Sequence, residues 1–550
     1  MRSAALLLLW VLTAPAQTDK PKELSRIEGR VMNAVTGEPV GKAAVALVYV
    51  SSAPGQDDWL RNYSTVSDAK GTFTIADIAR GKYRLQAKRN GFLGLEYGAH
   101  GSQTTGTQLD LEAPDQLKDI ELRLIPYGVL TGRIVDAYGD PEPYAQVQIL
   151  KSHYVNGKKT LAMVNGAVTN DLGEYRAVDL PAGRYYVYAQ ELDGPPTLDR
   201  SKEQYVPVYY PGATDSAGAA LIDVVAGAQV SIGDLMLIKA PVVTVKGKVV
   251  VELTGAQGMP RVVFDRNAGH DTRMMGRIQQ IPATVNAAGE FVARGLTSGT
   301  YFVGASVVKG GQWHESPLLT LTVGQTNIEG LVFTIGGNVS ITGRIRIDGD
   351  AKLDWKNVRV KERIGGPEYA GQGWDNGVGE DGTFKMDNLL PDRYGIVVAG
   401  LPDGYYTKGI YMGDSEITYT GTEVRNGSVP IDIVVSPKAG SIAGVVQNAD
   451  AGKPAQGATV VMIPQEKERA PIPECYQQST TDQYGRFAFK SVAPGKYKVY
   501  AWEDVEPTAW MDSEFMKLLL GKGETVTVEE SGRAEVEVTV IPANSEKEKR

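Results

Sequence analysis

The sequence predicts an all-β chain of five tandem seven-stranded sandwich domains, immunoglobulin-like or prealbumin-like, joined in an elongated array. Three observations predict it. A turn glycine recurs at Gly71, Gly173, Gly289, Gly382 and Gly485, followed two residues later by Phe73, Tyr175, Phe291, Phe384 and Phe487. A tyrosine stands twelve residues after each of these glycines: Tyr83, Tyr185, Tyr301, Tyr394 and Tyr497. Upstream of each lies an apolar-x-Gly-x-apolar marker centred on Gly29, Gly132, Gly247, Gly343 or Gly444. Such fixed spacing marks a repeated structural unit, and the 63 glycines and 29 prolines suit a fold of many turns and short strands.

Each marker has a physical reason. Alternation with period two puts Ile27, Gly29 and Val31 on one sheet face. A glycine on a buried face leaves room for a neighbouring backbone or ring. Asp68, Asn170 and Asp482 stand three residues before their turn glycines, which suits a type I turn closed by glycine at positive φ. The aromatic two residues on returns to the core. A Pro/Gly corner follows, as in Pro181-Ala-Gly183 and Pro494-Gly495, and the tyrosine after it can anchor the corner through its hydroxyl. The fourth unit departs, with Asp392 at the corner and Gly379 at the turn, which predicts a different local geometry there. Each unit closes on an apolar strand, at 120–124, 235–238, 331–334, 431–435 and 536–540. The expected domains are 24–126, 127–240, 241–337, 338–438 and 439–543, with a charged, disordered tail at 544–550. The joints near Pro126, Pro241, Gly337 and Lys438 are short. Domains of roughly 35 Å in a straight line would reach about 170 Å.

The stretches GEPVGKAAVALV with SDAKGTFTIADIARGKYRLQA, and GKPAQGATVVMIP with TDQYGRFAFKSVAPGKYKVYA, resemble the carboxypeptidase regulatory-like domain family. The resemblance is strongest in units one, two and five. It implies a transthyretin-like sandwich, grouped with starch-binding-like folds, in an exported protein, and no peptidase activity, since the domain carries no catalytic residues of its own. YYPGATDSAGA and YAWEDVEPTAWMDSEFMK resemble loops of multi-copy exported bacterial proteins of acidobacterial type.

The N-terminus has the form of a Sec export signal: Arg2, an apolar run at 4–12, and Ala14-Pro15-Ala16 ahead of a cleavage site near Gln17. About nine apolar residues are too few to span a bilayer. The expectation is a protein without a transmembrane span after cleavage, located in the periplasm, at the cell surface or outside the cell. A formal charge of −8 argues against nucleic-acid binding. The single cysteine, Cys475, excludes an intramolecular disulfide and lies in a polar loop without a nearby histidine.

Catalytic chemistry finds no pattern. The histidines, His100, His153, His270 and His314, are scattered over three units, and His314-Glu315 lacks a further ligand at helical spacing. No Gly-x-Ser-x-Gly elbow is present. Asp348, Asp350 and Asp354 make a loose acidic group that reads as a solvated turn in preference to a calcium loop. No enzyme activity, metal or cofactor is therefore expected. Binding is expected on loops. The aromatic ones supply the candidates Tyr209 and Tyr210 in 191–212, Trp502 and Trp510 in 502–517, and Trp374-Asp375-Asn376. An indole face beside polar hydrogen-bonders suits stacking on a sugar ring. The alternative is that these rings pack on their own or a neighbouring domain. Asp512 is expected to cap a helix running to about Leu520. The sequence thus points to a non-enzymatic binding or spacer protein with polysaccharide as a possible ligand, or to an accessory protein docking on another cell-envelope protein.

Overall fold

The computed structural model describes residues 24–50, 61–99, 105–112, 115–191, 203–253, 255–265, 280–336, 339–364, 376–389, 391–425, 427–448 and 452–543. In every repeat the strand bearing the marker glycine lies between two partners. In unit 1, Ser25–Asn33 pairs antiparallel with Thr72–Ile78 and parallel with Gln116–Pro126. The same arrangement recurs around Gly128–Val135, Val243–Val251, Val339–Ile347 and Gly440–Gln447. A second sheet is built on the tyrosine strand: Gly81–Lys88, Gly183–Gln190, Gly299–Lys309, Asp392–Ala399 and Gly495–Trp502. Five apolar clusters, one per repeat, fill the space between the paired sheets. The chain is thus all-β with immunoglobulin-like sandwiches. Among the described residues its α-helix is Ser513–Lys517, capped by Asp512, whose carboxylate accepts the Glu514 N–H at 2.8 Å. That helix is shorter than the sequence suggested, because residues 518–522 continue as turns.

The marker glycines do what their place on the inner face requires. Gly29, Gly132, Gly247, Gly343 and Gly444 each stand opposite the aromatic of the hairpin turn, Phe73, Tyr175, Phe291, Phe384 and Phe487. A Cβ on Gly29 would lie 2.2 Å from the Ile120 carbonyl oxygen and 2.8 Å from the Phe73 ring. The ring occupies the space a side chain would need, which locks the register of the two strands.

The turns and corners follow local chemistry. Asp68 Oδ1 accepts the N–H groups of Lys70 and Thr72, each at 2.8 Å, and Gly71 takes φ +73°. In unit 4 the backbone bonds of the turn persist, from Gly379 N to Thr383 O and from Gly382 N to Gly379 O, while the capping carboxylate moves to Asp381. At the corners the tyrosine hydroxyl donates to the carbonyl four residues earlier: Tyr83 to Ala79, Tyr185 to Pro181, Tyr301 to Thr297 and Tyr497 to Ala493. The corresponding corner carbonyl of unit 4, Leu390, lies outside the described residues.

Two recurrent devices carry a weaker sequence signal. Four residues before the turn glycine, units 1, 2 and 5 place a buried hydroxyl: Ser67, Thr169 and Thr481. Each accepts from the backbone N–H of an alanine (Ala43, Ala145, Ala458) and donates to a carbonyl (Val40, Glu142, Ala455). Units 3 and 4 have Val285 and Val378 there. Six residues after the turn glycine, Asp77, Asp179, Gly295 and Ser491 adopt positive φ, and there the pairing with the first strand shifts register.

Gln116–Pro126 ends two residues before Gly128–Val135 begins, and Ile238–Pro241 two before Val243–Val251. The straight array that short joints suggested is corrected by contacts between the ends of the chain. Unit 5 touches unit 1: Gln483 Oε1 accepts the Asp110 N–H at 3.0 Å and its Nε2 donates to the Asp110 carbonyl at 3.2 Å. It also touches unit 2, through Tyr154 and Gly157. Units 4 and 5 are joined by ion pairs, Lys408 with Glu530 at 3.3 Å and Lys490 with Asp403 at 3.0 Å.

Candidate functional site

The aromatic loops were the predicted sites, and period two explains where their rings begin. In Gly495–Trp502 the side chains of Tyr497, Val499 and Ala501 face the unit 5 core, so Tyr500 and Trp502 stand on the outer face of the same sheet. Nothing in that strand says whether the outer face is wet. In the fold it is covered. Residues 503–520 turn back over it, placing Val505, Ala509, Trp510 and Leu519 against Tyr500 and Trp502. Tyr500 stacks on Trp502 with centroids 5.4 Å apart, and Trp510 lies 6.4 Å on. Trp502 is 1% exposed and Trp510 6%. Neither can present a face to a sugar ring, so these two candidates are corrected to packing residues.

Unit 2 completes this second core. The tip of its hairpin between Gln146–Val155 and Lys158–Val168 reaches unit 5, where Tyr154 joins the aromatic cluster and meets Phe515 at 6.2 Å. Gly157, at φ +77°, sits so close to Met511 that a Cβ would fall 2.6 Å from that residue's carbonyl carbon. The same logic operates within unit 2. Tyr188 lies on the outer face of Gly183–Gln190 and is covered by Tyr209 at 5.3 Å, with Leu150 below both. Tyr209 is fully buried, and Tyr210 is half-buried against the unit 2 core. Tyr209 is therefore also a packing residue.

The third candidate is mostly outside the described residues: Trp374 and Asp375 lie there, while Asn376 is half-buried. Asn376 Nδ2 donates to the Val360 carbonyl and to Glu362 Oε2, each at 3.3 Å, and Glu362 is fully buried. Asn376 thus holds a buried carboxylate.

The contact of units 1 and 5 creates a cleft of about 620 Å³ that the sequence did not indicate. Leu95, Tyr97 and Glu121 line one wall and Pro454, Gln456 and Glu503 the other. Its carboxylates are engaged. Glu96 receives Arg84 at 2.7 Å and the Gly106 N–H at 2.9 Å, Glu121 pairs with Arg123 at 2.7 Å, and Glu503 accepts the Ala543 N–H at 3.0 Å. Glu96 and Glu503 are thus bonded to the frame, while Glu121 forms an exposed surface pair.

Other reactive groups among the described residues are held as follows, while His100 and His270 lie outside them. Burial pushes the Cys475 thiol up to about 11, far from a nucleophilic thiolate. Burial beside Lys309 lowers the His314 imidazole. Asp348 binds Lys408 at 2.7 Å, and Asp354 caps the 3₁₀ turn Trp355–Asn357 through the Lys356 N–H. Among the described residues no three His, Cys, Asp or Glu converge as a metal site, and no helix is long and apolar enough to cross a membrane.

Among solved structures, a minor pilin of Streptococcus agalactiae aligns with 40% of this chain and 98% of its own, at 13% identity and a TM-score of 0.23. A streptococcal ancillary pilin aligns with 56% and 98%, at 13% identity and 0.19. A shaft pilin from Lactobacillus rhamnosus GG aligns with 40% and 98%, at 11% identity and 0.19. Likeness at these scores carries no statement about function. No curated protein matches the sequence. Residues 26–122, within the first repeat, match the model of the Carboxypeptidase regulatory-like domain.

Proposed function

We propose that this chain is a non-enzymatic, exported scaffold of five sandwich domains, bounded as the repeats suggest, that serves as an accessory protein docking on another cell-envelope protein. One observation carries the reading. Three of the aromatic candidates among the described residues are spent on packing: Trp502 and Trp510 under the unit 2 hairpin, Tyr209 over its own sheet. What such a body offers a partner is shaped outer surface presented by units held in fixed relation. Ion pairs between units 4 and 5 and the aromatic lock between units 2 and 5 support that rigidity. Polysaccharide binding, the other reading of the sequence, now depends on Trp374.

The test is a cross-linked pull-down of the full chain from its own envelope fraction, run beside a glycan array. The expected result is one protein recovered in stoichiometric amount and no glycan bound. Glycan binding that disappears in Trp374→Ala would overturn the reading.

A further inference from the structure

Unit 5 meets unit 1 with one end of its sandwich, and that end consists of two pieces. One is the loop around Gly457, whose backbone lies against the Gly98 carbonyl. The other is the hairpin turn holding Gln483, whose amide clasps the N–H and carbonyl of Asp110. The same end of unit 2 is built from 141–145 and the turn 170–173, which touch where Gly173 stands over Pro141 and Glu142. Tyr144 occupies the Gly457 position there, Asp171 the Gln483 position, and Leu172 follows. These residues face outward: Tyr144 is 68% exposed, Leu172 55%, and Tyr138 in the adjoining loop 80%.

The chemistry differs from unit 5 in one direction. A glutamine can both accept and donate, so it clasps a backbone; an aspartate only accepts. Asp171 is joined at this end by Asp136, Asp140 and Glu142, four carboxylates against the one guanidinium of Arg133 that donates to the Leu172 carbonyl at 3.1 Å, and burial together with Glu191 and Asp136 raises the Glu142 carboxyl. The exposed rings suit a cation as well. Lys239 already places its ammonium 5.2 Å from the Tyr138 centroid. We propose that this end of unit 2 is a docking surface for a lysine- or arginine-rich segment of a protein partner, in the position that unit 1 takes on unit 5. The proposal rests on the accessory reading above and supplies its surface and the charge of its partner.

The test uses the full chain and a decalysine peptide carrying a photo-reactive group, with decaglutamate as control. Decalysine is expected to label 136–144 or 170–173 at low salt, and the double variant Tyr144→Gly/Asp171→Asn to weaken its binding about tenfold or more. Tyr144 sits at φ +62°, a conformation glycine takes freely, so the variant removes the ring without disturbing the fold; an unchanged melting curve verifies this. Equal affinity in the variant, labelling confined to other surfaces, or no decalysine binding at low salt overturns the proposal. If the double variant still captures the envelope partner at wild-type strength, the surface assignment fails while the accessory reading stands.

Discussion

Lys42 in unit 1, Tyr144 in unit 2 and Gly457 in unit 5 hold the same place in their repeats, one residue before the alanine that bonds the buried hydroxyl. Their φ angles are +57°, +62° and +68°. A lysine and a tyrosine tolerate the left-handed conformation there, so backbone geometry alone does not demand the glycine of unit 5. The neighbour does: a Cβ on Gly457 would fall 2.1 Å from the Gly98 carbonyl oxygen, whereas the tyrosine of unit 2 points into solvent. The frame repeats by its internal needs, and the exceptions mark where one unit meets another.

The largest test of that contrast removes the aromatic lock that unit 5 has and unit 1 lacks. Trp502→Ala should destabilise unit 5 by about 3–5 kcal/mol, as loss of a buried aromatic does, and lower its midpoint in urea. Trp313, which is 52% exposed on unit 3, should cost no more than about 0.5 kcal/mol when changed to alanine. Equal effects at the two positions would mean that the Trp502 face is open in solution. Next in size is the hydroxyl device shared by units 1, 2 and 5. Thr481→Val leaves the Ala458 N–H and the Ala455 carbonyl without this partner and should cost about 1–3 kcal/mol in a denaturant melt. Val285→Thr in unit 3 should bring no comparable gain, because that repeat is closed by apolar packing around Val285.

Smallest is an electrostatic difference between the two contacts of unit 5. Its side toward unit 4 is charged, and the Lys408 ammonium hydrogen-bonded to Glu530 holds that carboxyl below its ordinary 4.5. The folded state favours the ionised form, so the contribution is complete above that value and is lost as pH falls through the lower folded one. The side toward units 1 and 2 relies on rings, glycines and an amide, and should be insensitive over the same range. Hydrogen exchange at pH 3 and pH 7, each referred to the intrinsic amide rate at its own pH, should therefore show lower protection near Lys408 and Glu530 at pH 3 with little change near Tyr154 and Gly457.

Much of the unit was legible in the sequence because its determinants are local. A turn aspartate and its glycine, a tyrosine hydroxyl and a carbonyl four residues back, and a glycine facing a ring all act within one repeat, so their spacing survives copying. The buried hydroxyl was equally local but rested on a serine or threonine that units 3 and 4 replace with valine. The arrangement of units was not legible, since Asp110 and Gln483 meet across most of the chain. The aromatic loops misled for a related reason. Period two places Trp502 on the outer face of its sheet, and sequence carries no mark of what lies above that face. The available signal was Gly457, a glycine where the other closely similar repeats carry large side chains.

The chain closes, with unit 5 seated on units 1 and 2. The direct measurement is the distance between spin labels on exposed positions of units 1 and 5, in the wild-type chain and in Gly457→Lys. Lysine fits the conformation, as Lys42 does, so unit 5 should still fold. One short, narrow distance distribution is expected in the wild type and a longer, broader one in the variant. A long distance in the wild type, or the same short one in both proteins, would contradict this closure.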